Sequence, residues 1–241
     1  MAEAFQKAQM AEAVAKIRQD IAAAARASNR APESITLCAV CKTRTSDTVR
    51  LSAQLDVDVF GENHMQELVA HAQDGAYLGK EAHFIGHLQT NKVKKIVGTA
   101  SLIQSVDSLR LLEVIDKAAQ QQALVQDILI EVNIGLEESK SGVLPQALPR
   151  LLEQAAAMEH LRIRGLMAIP PALCSRDETR RYFEQMRRLF ETVQTQHYPR
   201  AKTDILSMGM SGSYIDAICE GATLVRVGTA IYGQRDYTNK G

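Results

Sequence analysis

The stretch ITLCAVCKTRTSDTVRLSAQL, residues 35–55, decides the fold class. It begins with an apolar, strand-like run over residues 35–42 and continues, after a polar turn, into an amphipathic helical pattern over residues 45–55. The order of strand, turn and helix is typical of a parallel β/α unit. The turn reads CKTRTSD and holds no glycine, whereas an open dinucleotide-binding sheet usually carries G-x-G-x-x-G at this place. The stretch therefore favours a closed barrel over an open doubly wound sheet.

The same alternation recurs along the whole chain. Strands are predicted at residues 35–42, 57–62, 83–88, 102–107, 127–134, 163–169, 204–208 and 224–228. Helical patterns are predicted at residues 45–55, 63–73, 109–121, 145–158, 178–196 and 214–220. Strands that alternate with helices pair in parallel through right-handed crossovers. Eight such units in 241 residues predict an α/β protein with a (β/α)8 TIM barrel.

The opening segment, residues 2–27, predicts an extra N-terminal helix. Its apolar stripe holds Phe5, Val14, Ile17 and Ile21, and the helix is expected to cover the place after the last strand, where the chain ends too soon for a long helix. No linker or low-complexity tract divides the sequence, so a single barrel domain over residues 1–241 is expected.

Composition restricts the classes of function. Lys plus Arg and Asp plus Glu both number 28, so the formal net charge is zero and nothing draws the chain to nucleic acid or an anionic membrane. No run approaches the roughly 20 apolar residues that span a bilayer.

The cysteines are too sparse for a disulfide scaffold, and Cys38 and Cys41 fall on opposite faces of a strand, as packed thiols do. A cytoplasmic protein that binds neither nucleic acid nor membrane is expected. No metal site is predicted, because His83 and His87, four residues apart on a strand, would lie roughly 13 Å from each other.

Polar residues follow the predicted strands, and in a barrel of this kind the carboxyl ends of the strands meet at one mouth. These residues are Lys42, Glu62, Asn63, His87, Gln89, Asp107, Asn133, Ser207, Ser211 and Arg226. Strand alternation points the amine of Lys42 into the barrel, where burial suits it to imine chemistry; the alternative is a lysine that reaches solvent at the strand end. Arg226 lies in an otherwise apolar strand, where a guanidinium needs a partner.

An anion site is predicted beside these two cations. The segment GMSGS, residues 209–213, and the pair Gly228 and Thr229 follow strands seven and eight, the usual phosphate cradle of this barrel. The alternative is that these are ordinary loop and helix-capping residues. A phosphorylated aldehyde that is held there while Lys42 reaches its carbonyl would be pyridoxal 5′-phosphate (PLP), with Arg226 facing the ring.

Several blocks of the sequence resemble the pyridoxal phosphate homeostasis protein family, which is related to the barrel domain of alanine racemases and bacterial-type ornithine decarboxylases. These blocks are AVCKTR, FGENHMQEL, HFIGHLQTNK, SVDSL, EVNIGLEESKSGV, RGLMAIP and SMGMSGSYIDAICEGATLVRVGTAIYG, and they extend from about residue 37 to residue 236. The resemblance implies a fold type III barrel with PLP as a Schiff base on Lys42. It further implies phosphate contacts from Ser211, Gly228 and Thr229, a ring-nitrogen contact from Arg226, and Asn63 in the pocket. Cys41 stands where the family more often has serine.

The resemblance also implies cofactor buffering and delivery rather than turnover. Alanine racemases add a second domain and a tyrosine from another subunit, whereas about a dozen residues follow strand eight here. A monomer that binds PLP and hands it to apo PLP-dependent enzymes is therefore expected, without an assigned catalytic residue. The alternatives are a slow PLP-dependent amino-acid racemase and a phosphate-binding barrel enzyme that forms no imine. Lys140, in a polar loop after strand five, is either a solvated charge or a second PLP site.

Overall fold

The computed structural model describes residues 2–234, in which eight parallel strands close into a barrel. Each strand pairs with the next along the chain, and the eighth pairs with the first, where Cys38 lies opposite Arg226. The predicted (β/α)8 TIM barrel is confirmed. The end of the family resemblance, at residues 235 and 236, lies outside the described residues.

Helices alternate with the strands. The strands are β1 Thr36–Val40, β2 Val59–Glu62, β3 Ala82–Phe84, β4 Leu102–Val106, β5 Gln126–Val132, β6 Leu161–Ala168, β7 Ile205–Ser207 and β8 Leu224–Val227. The helices are α1 Ala2–Ala27, α2 Ser46–Ala53, α3 Met65–Gln73, α4 Val93–Ile96, α5 Leu109–Gln121, α6 Leu148–Ala156, α7 Arg176–Thr195, α8 Tyr214–Cys219 and α9 Thr229–Tyr232.

Several strands are shorter than the apolar runs that predicted them. β1 ends at Val40, although the prediction extended it to Lys42, because Thr43 has a φ of 63° and turns the chain out of the extended conformation. β3 covers three residues, so His87 lies in the loop after it. The short helices α4 and α9 were not predicted.

Two apolar layers hold the barrel together. The outer layer lies between strands and helices and includes Leu37, Ala39 and Cys41 of the β1 segment. The alternate positions Cys38 and Val40 face the barrel interior, as period-two alternation requires. The prediction that Cys38 and Cys41 are packed thiols on opposite faces is confirmed, since both are free and buried.

The N-terminal helix α1 packs against α8 and α9 on the outside of the barrel. Val14, Ile17 and Ile21 are buried there, and the hydroxyl of Tyr214 donates a 2.9 Å hydrogen bond to the Asp20 carboxylate. Phe5 was assigned to the same stripe, but it is 66% exposed. The periodicity of a helix identifies its apolar face and not how far the covering surface extends. No helix among residues 2–234 combines the length and apolar character that a bilayer crossing requires.

Candidate functional site

A cavity of about 250 Å³ opens at the C-terminal mouth of the barrel, where the carboxyl ends of β1, β2 and β8 meet. It is lined by all six predicted site residues: Lys42, Asn63, Ser211, Arg226, Gly228 and Thr229. Apolar side chains, including Val40 and Ile85, complete the wall. This volume is near the lower end for small-molecule sites, about 300 Å³. The cavity combines a primary amine, a guanidinium, hydroxyls and an amide on an apolar wall.

Lys42 lies in the turn after β1 and is half-buried, rather than enclosed in the interior as the strand pattern predicted. Hydrogen bonds hold this turn on both sides. The Arg44 N–H donates to the Cys41 carbonyl at 3.0 Å, and the Thr43 N–H donates to the Glu67 carboxylate at 2.9 Å. The amine therefore projects from a fixed backbone into the cavity.

A buried carboxylate, Glu62, supports this turn from outside the barrel. Its Oε1 accepts three hydrogen bonds, from Cys41 Sγ at 2.8 Å, His71 Nδ1 at 2.6 Å and the Tyr77 hydroxyl at 3.0 Å. The sequence placed Glu62 at the mouth with the other strand ends, and this was wrong. Asn63 faces the cavity, so strand alternation turns its neighbour Glu62 toward the helices.

His71 connects this carboxylate to the lysine turn. Its Nδ1 faces Glu62 and its Nε2 lies 3.1 Å from the carbonyl oxygen of Arg44. Both partners are acceptors, so this geometry favours a His71 ring that carries a proton on each nitrogen. Burial lowers the pKa of His71, but the hydrogen bond and charge of Glu62 outweigh it and raise that pKa overall. The ion pair fixes the position of the turn that carries Lys42.

The same cluster has the residue types of a metal site. Ligand atoms of Cys41, Glu62 and His71 lie within 4.8 Å of one another. Their 2.6 and 2.8 Å separations are hydrogen-bond distances that converge on one carboxylate oxygen. Burial, followed by the charge of Glu62, raises the pKa of the Cys41 thiol well above its usual value. We therefore interpret the cluster as a hydrogen-bond hub, in which Cys41 and His71 donate protons to the Glu62 carboxylate, and not as a metal site.

Asn63 presents an unsatisfied acceptor. Its Oδ1 is buried and has no hydrogen-bond partner among the described residues. The backbone of Asn63 is also tightly packed, since a Cβ atom placed on Gly86 would lie 2.1 Å from the Asn63 carbonyl oxygen. Only glycine allows this approach of the two strand ends. An unpaired buried amide oxygen costs free energy, which a bound donor would recover.

The two predicted phosphate loops are joined by one hydroxyl. Ser211 Oγ accepts hydrogen bonds from the backbone N–H groups of Gly228 and Ala230, both at 3.2 Å. The hydroxyl proton is left to donate to another acceptor. A Cβ on Gly228 would lie 3.0 Å from the Val40 carbonyl, so glycine keeps β8 close to β1 at this edge.

Arg226 forms the floor of the cavity and is only 3% exposed. One guanidinium nitrogen, Nη1, donates to the Ser207 hydroxyl, and Nη2 donates to the Ala168 carbonyl at 3.0 Å. The expected partners are therefore neutral oxygens. Burial lowers the pKa of Arg226 to about 10. This value is still well above neutral pH, so the group remains a cation and a hydrogen-bond donor.

A buried carboxylate, Glu131, whose pKa is affected by the charge of Arg226, was not predicted from the sequence. Glu131 lies on β5 and is 8% exposed. Burial, with a smaller effect from the charge of Asp107, raises the pKa of Glu131 to about 7, although the positive charge of Arg226 opposes the shift. Its position two residues before Asn133 on an alternating strand was the available signal.

We expect Glu131→Gln to change the free energy of unfolding more favourably at pH 8 than at pH 5. A carboxyl whose pKa rises on folding from 4.5 to about 7 binds its proton more tightly in the folded state, so the free energy of unfolding falls as pH rises through this window. Glutamine removes this loss, and the relative gain should be about 2 kcal/mol. Urea unfolding at the two pH values measures it. Glu12→Gln, on the exposed face of α1, is the matched control, and an equal pH-dependent gain in that variant would contradict the assignment.

Lys140 lies outside the cavity. Its amine is 2.6 Å from the Glu137 carboxylate and 3.4 Å from the Pro170 carbonyl, and its side chain is 32% exposed. These contacts favour the interpretation of Lys140 as a solvated, ion-paired lysine of the loop after β5.

The sequence of this chain is similar to a known family model and to several known proteins. The family model described as "Alanine racemase, N-terminal domain" matches residues 13–236. The "Pyridoxal phosphate homeostasis protein" of Aquifex aeolicus is 38% identical over 226 residues, which cover 94% of this chain and 98% of that protein. The chain belongs to the pyridoxal phosphate homeostasis protein family.

Two further relatives agree. The family member of Escherichia coli strain K12 is 38% identical over 237 residues, 96% of this chain and 99% of that protein. The solved structure of PipY from Synechococcus elongatus, with PLP bound, superposes with a TM-score of 0.81 at 33% identity and covers 93% of this chain and all of that one. The predicted family is confirmed.

Proposed function

We propose that this protein binds PLP in the cavity at the barrel mouth and takes part in PLP homeostasis. The observation that carries the proposal is the convergence of Lys42, Arg226 and the Ser211 loop on one small cavity. The names of the relatives and the PLP-bound PipY structure support it.

The chemistry of the cavity fits the cofactor. The aldehyde of PLP condenses with a primary amine to a Schiff base and releases water, and Lys42 is the lysine that lines the cavity among the described residues. The Ser211 hydroxyl, Gly228 and Thr229 would hold the phosphate, because Ser211 retains a proton to donate. The unsatisfied Oδ1 of Asn63 offers an acceptor in the same wall.

Arg226 sets the electronic character of the site. A guanidinium has only donors, so it would hydrogen-bond the lone pair of the pyridine nitrogen and keep that nitrogen unprotonated. An unprotonated ring is a poorer sink for electrons. The charge on Arg226 therefore favours holding and releasing PLP over catalysis on it.

Cofactor buffering and delivery to apo PLP-dependent enzymes is the role we propose, with the protein acting as a monomer. No tyrosine lines the cavity among the described residues, so a racemase's tyrosine acid would have to come from another subunit. Tyr77, Tyr214 and Tyr232 instead hydrogen-bond Glu62, Asp20 and Ser52.

Binding of PLP and of pyridoxal, which lacks the phosphate, tests the proposal. We expect PLP to bind at least tenfold more tightly, a preference that one charge-assisted hydrogen bond supplies. Equilibrium dialysis followed by absorbance measures both affinities. Equal affinity for the two aldehydes would contradict the phosphate site.

Chiral analysis of D- and L-amino acids tests the racemase alternative. We expect the loaded protein to racemise no faster than the same amount of free PLP. Faster turnover that is lost in Lys42→Ala would overturn the assignment as a carrier.

A further inference from the structure

A chain of hydrogen bonds crosses the barrel interior from Arg226 toward the opposite mouth. Arg226 Nη1 donates to Ser207 Oγ, and Ser207 Oγ lies 2.6 Å from Gln104 Oε1. Gln104 Nε2 in turn lies 2.9 Å from His83 Nδ1. All four side chains are buried, so water does not compete for these bonds.

The far end of the chain reaches the N-terminal mouth of the barrel. His83 lies on the short strand β3 and lines a cavity of about 440 Å³ between the beginnings of the strands. Its Nε2 is 3.7 Å from the Glu81 carboxylate, whose side chain is 66% exposed. The other charged groups that line this mouth are Asp127, Arg162 and Arg164.

The direction of every bond follows from Arg226. A guanidinium has no acceptor, so the Ser207 oxygen must accept and its single proton is left for Gln104 Oε1. The amide nitrogen of Gln104 then faces His83 and can only donate. His83 Nδ1 must therefore carry a lone pair, and the ring proton lies on Nε2, on the side of Glu81. The opposite orientation of the Gln104 amide would remove the acceptor of the Ser207 proton.

We propose that Gln104 and His83 are positioning residues for Arg226. The hydrogen-bond chain then holds His83 as the neutral tautomer that is protonated on Nε2. The hydrogen-bond chain fixes the Ser207 oxygen as an acceptor for Arg226. This oxygen and the Ala168 carbonyl oxygen together set the plane of the guanidinium. The consequence for PLP rests on the proposed function, in which this guanidinium donates to the ring nitrogen. The tautomer itself does not depend on the cofactor.

Long-range ¹H–¹⁵N spectra of the protein at neutral pH test the tautomer, with the His83 signals assigned by their loss in His83→Gln. We expect a neutral ring with its proton on Nε2. Gln104→Glu replaces the donor with an acceptor, so His83 Nδ1 should become protonated in that variant. A proton on Nδ1 in the unchanged protein, or no change in Gln104→Glu, would overturn the proposal. The first of these outcomes does not depend on whether the variant folds.

PLP affinity tests the positioning. His83→Phe removes the acceptor for Gln104, and we expect PLP to bind about tenfold more weakly, with a shifted absorption maximum. His83→Gln keeps an acceptor and should restore the affinity to within about twofold. The exposed His197→Phe should change nothing. Equal affinities in the two His83 variants would overturn the positioning role. If the unchanged protein binds no PLP but His83 is protonated on Nε2 as expected, the proposed function is wrong and the hydrogen-bond chain from Arg226 to His83 is still supported.

Discussion

Lys42→Ala should abolish covalent binding of PLP. Among the described residues Lys42 is the primary amine that lines the cavity, and alanine has no nitrogen to form a Schiff base. After incubation with PLP and exhaustive dialysis, the unchanged protein should remain yellow and the variant should be colourless. The phosphate contacts remain in the variant, so PLP should still bind it reversibly and compete with added phosphate.

Lys140→Ala is the matched control, because it removes a half-buried lysine that is tied to Glu137 outside the cavity. We expect this variant to retain the yellow adduct in full. The assignment of Lys42 is wrong if Lys42→Ala keeps a covalent adduct in the same cavity, or if Lys140→Ala alone loses it.

Gly86→Ala should destabilise the protein by about 4 kcal/mol, because the new Cβ would lie 2.1 Å from the Asn63 carbonyl oxygen and 2.8 Å from the Asn63 Cα. Backbone atoms cannot move aside as a flexible side chain can, so β2 and β3 must separate at the cavity. For a chain of this size the Tm should fall by roughly 8 to 16 °C. Differential scanning calorimetry measures the change.

Gly212→Ala separates this contact from a general effect of adding a methyl group at the mouth. Nothing lies within 4 Å of a Cβ at Gly212. We expect its stability to change by less than about 1 kcal/mol. If the two variants melt at the same temperature, the close approach of Gly86 to Asn63 does not limit the stability of this edge.

The positions of the cavity residues could be predicted because the geometry of a barrel is repetitive. Once strands are recognised by their apolar runs, their carboxyl ends must meet, and alternation decides which side chains face inward. The strand-end rule put Lys42, Asn63 and Arg226 at one mouth, and alternation turned Lys42 inward. The resemblance put Asn63 in the pocket, and the structure brings all three residues to one cavity. The glycine and serine turns after the last two strands follow from the same topology.

The supporting contacts could not be predicted, because they join elements that are distant in sequence. The hub on Glu62 receives donors from the β1 turn, from α3 and from the loop that follows it, and no spacing relates Cys41, His71 and Tyr77. Glu62 was placed at the mouth from its position at a strand end, although the same alternation that turns Asn63 inward turns it outward. The lengths of all strands except β6 were overestimated, because the runs that predicted them continue past the last paired residue.

Reduction with borohydride followed by peptide mass spectrometry tests most directly the claim that Lys42 holds PLP. Reduction converts the Schiff base into a stable amine, so the labelled residue keeps the mass of the reduced cofactor through digestion. We expect the label on the peptide that contains Lys42, at close to one per chain. A label that maps instead to Lys140 or to the terminal amine, with Lys42 unmodified, would contradict the account.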